Sequence, residues 1–238
     1  MYWQVRHFLK FAILPDLPFY VGGYDPRLED NVRTLSNLVS ATVSRSLTYN
    51  IISPRALPSP ASDLLPFNVP RDPHVLFLLN FTTPQRSALL QSPSTLALLY
   101  TPTNEHFGIV PIEAMACGLP VLACNSGGPT ESILPSPPHS PAERTGWLKD
   151  PVPEIWAESL IEIVSLDRAA RQALSEFAKN IAREKFSMEA MTKGLEDSFR
   201  DAEEMGDVDA GLFEIFRVGF VVMVGFLLAY FVSPFLIQ

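Results

Sequence analysis

The chain has 238 residues, 47% of them hydrophobic, and a formal charge of −8 at pH 7. That is enough apolar material for one or two packed domains and excludes a disordered tail. An acidic balance with no cluster of Lys and Arg argues against nucleic acid as a partner, because phosphate binding needs cations to displace counterions.

The opening run MYWQVRHFLKFAIL is interrupted by Lys10 and carries no small-residue cleavage site, so residues 1–20 read as a divergent N-terminal segment and not as a signal peptide. Four continuous apolar runs of strand length follow: Phe19–Gly23, Val75–Asn80, Thr95–Tyr100 and Pro120–Cys124. Such runs fit strands covered on both faces. Helical stretches lie around Asn31–Val43, Pro84–Leu90, Pro111–Ala116 and Thr130–Leu134. Strand alternating with helix predicts an α/β fold with a Rossmann-like parallel sheet over residues 21–150. Two proline-rich segments interrupt it, Ser53–Pro73 with six prolines in 21 residues and Pro135–Pro141 with four in seven. Both read as loops, since proline lacks the donor a helix or ladder needs.

Residues 151–204 read as C-terminal helices, Glu154–Lys185 and then Ser187–Glu204, with Ser187 as cap and Glu189 in the first turn. An acidic linker, 205–217, leads to Val218–Gln238, 21 residues without a charge. As a helix that run reaches about 30 Å, the thickness of a hydrocarbon core, which predicts a membrane-spanning helix. Arg217 just before it favours a cytosolic amino-terminal side.

Cys117 and Cys124 have neither CxxC spacing nor a nearby His pair, and read as reduced, buried packers in a cytosol-facing domain. Asp207 and Asp209 form a DxD pair, but no strand precedes them; a solvated linker explains them better than a metal site, and no metal or other cofactor is expected. Asn80-Phe81-Thr82 is a glycosylation sequon. Because Asn80 closes an apolar strand, a structural role is expected for it.

The informative stretch is TPTNEHFGIVPIEAMACGLPVLACNSGGP, Thr101–Pro129. Glu105 and Glu113 lie eight apart, a separation repeated by Glu154/Glu162, Glu176/Glu184 and Glu196/Glu204 in helical segments, where solvated faces explain it. Context distinguishes the first pair. Glu105 follows a strand through a short loop, which places it at the carboxyl edge of the sheet, where open α/β folds bind ligands. Glu113 falls early in a helix that Pro111 helps to start and Gly118 helps to stop. The amino end of that helix suits an anionic phosphate, and Gly108 allows close backbone approach. The loop NSGGPTES, with Gly127 and Gly128 after a strand, offers either a second phosphate or sugar cradle or an ordinary tight turn.

E-H-F-G-I-V-P-I-E (Glu105–Glu113), followed by A-M-A-C-G-L-P-V and N-S-G-G-P-x-E-S, resembles the donor half of family 4 glycosyltransferases of the GT-B fold. YTPTNEHFGIVPIEAM, NSGGPTESI, GGYDPRLEDN, TGWLKDPVP and EKFSMEAM resemble the branch of that family that extends the lipid-linked N-glycan precursor, so the likeness runs discontinuously from Val21 to Ser198. It implies one GT-B half-domain and transfer of mannose from GDP-mannose to a dolichol-linked oligosaccharide in alpha-1,3 and alpha-1,6 linkages. The location implied is the endoplasmic reticulum membrane, with the catalytic domain facing the cytosol. By the same resemblance Glu105 holds mannose hydroxyls, Glu113 the ribose, and the backbone around Phe107, Gly108 and Ile109 the sugar and diphosphate. Ser126, Gly127 and Gly128 shape the floor under the donor. His106 is a candidate base whose neighbours suggest a positioning role.

The pattern departs from the family in two places. Members carry an acceptor domain before this half and an Arg/Lys motif ahead of the GGYD strand, and Arg6, His7 and Lys10 do not reproduce that motif. The expectation is a truncated chain, the alternative being a non-catalytic, membrane-anchored remnant that binds nucleotide sugar or pairs with a full-length transferase.

Overall fold

The apolar runs become the middle of a seven-stranded sheet. The computed structural model describes residues 8–13, 17–53, 56–57, 59–135, 143–205 and 215–224. Its strands are β1 (Phe8–Ile13), β2 (Leu17–Gly22), β3 (Tyr49–Ile52), β4 (Val75–Leu79), β5 (Thr95–Tyr100), β6 (Val121–Cys124) and β7 (Gly146–Lys149), in the spatial order β3-β4-β2-β1-β5-β6-β7. β2 with β4, β3 with β4, β5 with β6 and β6 with β7 all pair in parallel. β1 is antiparallel to both β2 and β5. The expectation of a wholly parallel sheet is thus corrected at one strand. Only three residues separate Ile13 from Leu17, far too few for the crossover that a parallel pair requires, so these strands form a hairpin.

Helices α1 (Glu29–Val43), α2 (Thr83–Gln91), α3 (Ile109–Ala116), α4 (Pro129–Ser132), α5 (Pro153–Ser165), α6 (Arg168–Phe186) and α7 (Met188–Met205) complete the order. β5 shows why its sequence is apolar throughout. Leu98 and Tyr100 pack into one cluster with Ala114 and Met115 of α3 and Ala178 and Ala182 of α6. Ala97 and Leu99 point the other way, into a cluster with Leu122, Trp147, Ile163 and Leu174. A third cluster joins Leu35 and Val39 of α1 to Ile51, Phe77 and Leu79. Burial on both faces removes the alternation that marks a half-exposed strand.

Several elements differ from the sequence reading. β1, β3 and β7 are additional strands. The long helix expected from Glu154 breaks at Leu166–Asp167, where the Asp167 carboxylate accepts from the Ala170 N–H at 2.7 Å and starts α6 afresh. Ala61–Leu64 forms a 3-10 turn inside the proline-rich insert. The second proline-rich loop lies, beyond Pro135, outside the described residues until Glu143, and Asp207 and Asp209 lie outside them as well.

The chain divides into two compact units, Met1–Ser187 and Met188–Gln238. Helices α5 and α6 therefore belong with the sheet. In the second unit, α7 and a helix over 215–224 are described, and 225–238 lie outside the described residues. Among the described residues no helix is long and apolar enough to cross a membrane. The expected span Val218–Gln238 is thus seen only in its first seven positions.

Asn80 closes β4 with φ +54°, its Oδ1 accepting from the Tyr24 N–H at 2.7 Å and its Nδ2 donating to the Tyr24 carbonyl at 3.0 Å. The side chain extends the β2–β4 ladder by one rung, the structural role expected of it. Cys117 and Cys124 are free thiols, and burial pushes both upward in pKa.

Glu162 ties α5 to β7. Its carboxylate accepts from Trp147 Nε1 at 2.8 Å and from Arg144 Nη1 at 2.7 Å, while the Arg144 guanidinium lies 4.6 Å from the Trp147 ring centre. Burial acts to raise the Glu162 pKa, but these two donors outweigh it and the net shift is downward. A depressed carboxylate stabilises the fold above its unfolded pKa, about 4.3, and loses that contribution as pH falls through the folded value. The gap in urea midpoint between wild type and Glu162→Gln is therefore expected to be widest at neutral pH and to narrow below about pH 4.

Candidate functional site

The carboxyl ends of β5 and β6 open into two loops, 101–108 and 125–128, that are locked against each other. The Gly128 N–H donates to the Glu105 carbonyl at 2.7 Å, and the Asn104 N–H donates to Ser126 Oγ at 3.0 Å. The two glycines permit this approach. A Cβ on Gly127, at φ +64°, would fall 2.2 Å from the Glu105 carbonyl oxygen; one on Gly128 would fall 2.3 Å from the Phe107 Cα. Ser126, Gly127 and Gly128 pack against the Glu105 loop, and the contacts shown join loop to loop. The short α4 begins there, with the Thr130 and Glu131 N–H groups turned back onto the carbonyls of Gly127 and Gly128.

Clamping fixes the backbone of Glu105, and its side chain is fixed separately. The carboxylate accepts from the His106 N–H at 3.2 Å and from the hydroxyl of Tyr100, a residue only 2% exposed. Burial first, and then the neighbouring Glu105 charge and hydrogen bond, push the Tyr100 phenol above its ordinary range. That hydroxyl passes under Gly108, where an added Cβ would sit 3.0 Å from it. The space below Gly108 is therefore filled by Tyr100. His106 is exposed, while Phe107, 46% exposed, meets Phe186 of α6 edge-on at 6.2 Å.

Gly108, at φ +76°, is also the amino cap of α3. The first-turn N–H groups of a helix have no intrahelical acceptors, and Pro111 contributes none, so Ile109 and Val110 present the free donors of this end. The positive end of the helix dipole points the same way. At the other end, the Gly118 and Leu119 N–H groups return to the carbonyls of Met115 and Ala114 at 2.8 and 2.9 Å, with Gly118 at φ +77°. This Schellman closure ends the helix where the sequence suggested.

Glu113 lies one turn into α3 and pairs with Arg86 of α2, Arg86 Nη2 to Glu113 Oε1 at 2.8 Å. Its other oxygen, Oε2, is enclosed without a hydrogen-bond partner among the described residues. An enclosed acceptor lacking a donor costs about 1–3 kcal/mol. One residue before Arg86, Gln85 lines a cavity of about 650 Å³ with Ile52, Leu78, Leu79, Phe81 and Leu89, at the carboxyl ends of β3 and β4. Its size and apolar walls fall in the range of small-molecule sites. Among the described residues no group of His, Cys, Asp and Glu could hold a metal ion.

Tyr100 and Arg86 are the members that sequence reasoning missed. Tyr100 looks like the end of an apolar strand, and only its phenolic oxygen hints at a buried partner. Arg86 looks like a solvated helix residue, and nothing local links it to a glutamate 27 positions on.

Residues 72–181 match the family Glycosyl transferases group 1. The chain carries a glycosyltransferase domain of that group, folded as a Rossmann-like half of the GT-B type. It is 35% identical over 195 residues to the alpha-1,3/1,6-mannosyltransferase ALG2 of Rhizomucor pusillus, covering 79% of this chain and 39% of that protein. To the ALG2 protein of Saccharomyces cerevisiae it is 37% identical over 185 residues, covering 74% and 35%. The chain thus spans between a third and two fifths of these relatives. Among solved structures, sucrose-phosphate synthase from Thermosynechococcus elongatus aligns with a TM-score of 0.55 at 22% identity, covering 79% of this chain and 39% of that one, and supports the fold.

Gly128→Ala must push backbone against backbone and is expected to destabilise by roughly 1–3 kcal/mol. Gly194→Ala, in mid-helix of α7 where an added Cβ meets nothing within 4 Å, is expected to be neutral or stabilising. Denaturant midpoints of the two variants check the contrast.

Proposed function

We propose that this chain forms the donor-binding half of a retaining mannosyltransferase. It takes mannose from GDP-mannose and transfers it to a dolichol-diphosphate-linked oligosaccharide, in alpha-1,3 and alpha-1,6 linkages, at the cytosolic face of the endoplasmic reticulum membrane. The observation that supports this reading is the pair of interlocked loops at the carboxyl ends of β5 and β6, which lead through Gly108 into α3, where Arg86 holds Glu113 one turn on. The similarity to alpha-1,3/1,6-mannosyltransferases supports mannose as the sugar.

In this reading the diphosphate rests against the Ile109 and Val110 N–H groups, and Glu113 accepts from the ribose hydroxyls. Glu105, restrained by Tyr100, accepts from mannose hydroxyls and fixes the sugar ring. The bond between the mannose anomeric carbon and the diphosphate oxygen breaks, and the electron pair leaves with GDP. The acceptor hydroxyl attacks from the face the diphosphate departs, giving its proton to the departing phosphate oxygen, so configuration is retained. Helix-end donors stabilise the negative charge that develops on the leaving group, the kind of preorganised electrostatics that supplies much of many barrier reductions. His106, at the exposed rim, positions the sugar. The uncharged C-terminal run holds the domain at the membrane that contains the lipid acceptor.

Calorimetric titration of the purified chain with GDP-mannose, followed by addition of dolichol-linked acceptor and measurement of mannose transfer, tests the proposal. Binding without transfer would favour the second reading, a nucleotide-sugar-binding chain that partners a full-length transferase. In a full-length context Glu113→Gln is expected to abolish transfer while the domain stays folded. Unchanged transfer would remove Glu113 from the donor site.

A further inference from the structure

We propose that Arg86 is a positioning residue for nucleotide binding: its guanidinium orients the Glu113 carboxylate and offsets its charge beside the place where the nucleotide sugar is proposed to lie. This rests on the donor-site reading above.

Both backbones that meet at this pair are independently fixed. α2 begins with a full capping box, Gln85 N–H to Thr82 Oγ1 and Thr82 N–H to Gln85 Oε1, with Pro84 in its first turn. The Arg86 N–H closes that turn onto the Thr82 carbonyl at 3.0 Å. α3 is fixed by Gly108 at one end and by the Gly118 closure at the other. The 2.8 Å contact between them therefore sets the side chain of Glu113 and not the placement of its helix.

Two features separate this pair from an ordinary surface ion pair. Each side chain is only 27% exposed, so both charges are partly withdrawn from solvent. An arginine serving only to bind a carboxylate commonly engages both oxygens with its fork. Here one oxygen is engaged, and the other is left without a donor. Charge gives the second argument. Glu105 and Glu113 are two negative charges at a rim that must accept an anionic diphosphate. A guanidinium at 2.8 Å opposes the charge of Glu113 and so lessens its repulsion of the phosphates.

GDP binding to the purified chain, measured by calorimetry for wild type, Arg86→Ala, Arg86→Lys, Glu113→Gln and the Arg86→Ala/Glu113→Gln double variant, tests this, with thermal melts run alongside. Arg86→Ala is expected to weaken GDP binding roughly tenfold. Arg86→Lys should recover part of the loss, as it keeps the charge and reach but not the fork. In the Glu113→Gln background, Arg86→Ala should change affinity little, because a residue acting through Glu113 has nothing left to orient. Wild-type affinity in Arg86→Ala would overturn the inference, as would losses that multiply in full in the double variant, which would mean that Arg86 touches the nucleotide itself. Should Arg86→Ala melt out, Arg86→Lys carries the same comparison. Wild type that fails to bind GDP would instead overturn the donor-site reading on which the inference stands.

Discussion

The hydrogen bond from the Gly128 amide to the Glu105 carbonyl, 2.7 Å long and sealed by two glycines with no room for a side chain, is the contact from which the rest of the site follows. It fastens the loop leaving β5 to the loop leaving β6. Without it, Glu105 would sit on a free span between a strand and a helix. With it, the chain reaches Gly108 in a fixed direction, α3 starts at a fixed point, and Glu113 arrives one turn later. Loops carrying function are commonly held by rigid neighbours. In this protein a second loop supplies the rigidity.

Charge at this rim is then distributed by residues from the layer beneath. Tyr100 rises from the core strand to restrain one carboxylate, and Arg86 reaches across from α2 to restrain the other. One holder is neutral and buried, the other charged and part-exposed. The difference suits the two roles proposed for them, Glu105 towards sugar hydroxyls and Glu113, with a guanidinium at 2.8 Å, beside the phosphates.

The fully buried strands β5 and β6 are the most legible part of the sequence. β5 was read to the residue and β6 to within one, because burial on both faces by α3 and α5 leaves an uninterrupted apolar run. Edge and hairpin strands were not legible. β3 is four residues long, β7 ends in Lys149, and β1 carries Lys10 at its middle, so none shows the run or the alternation that marks a strand. The break before α6 was visible in retrospect as Asp167 followed three residues later by its hydrogen-bond partner Ala170. At the site, the motif residues were readable because they cluster in one stretch of chain. Their holders were not. Tyr100 meets Glu105 under a glycine three positions further on, and Arg86 meets Glu113 because α2 and α3 share one core cluster; both relations exist in space and leave no local trace.

The most direct test is a crystal structure of the chain with GDP bound. The account predicts the diphosphate against the Ile109 and Val110 amides, with the ribose hydroxyls on the Glu113 carboxylate and the Arg86 contact kept. A cavity of about 450 Å³ at the opposite edge of the sheet, lined by Arg168, Arg171 and Lys179, offers anions another place. GDP seated there, with the rim of β5 and β6 empty, would contradict it.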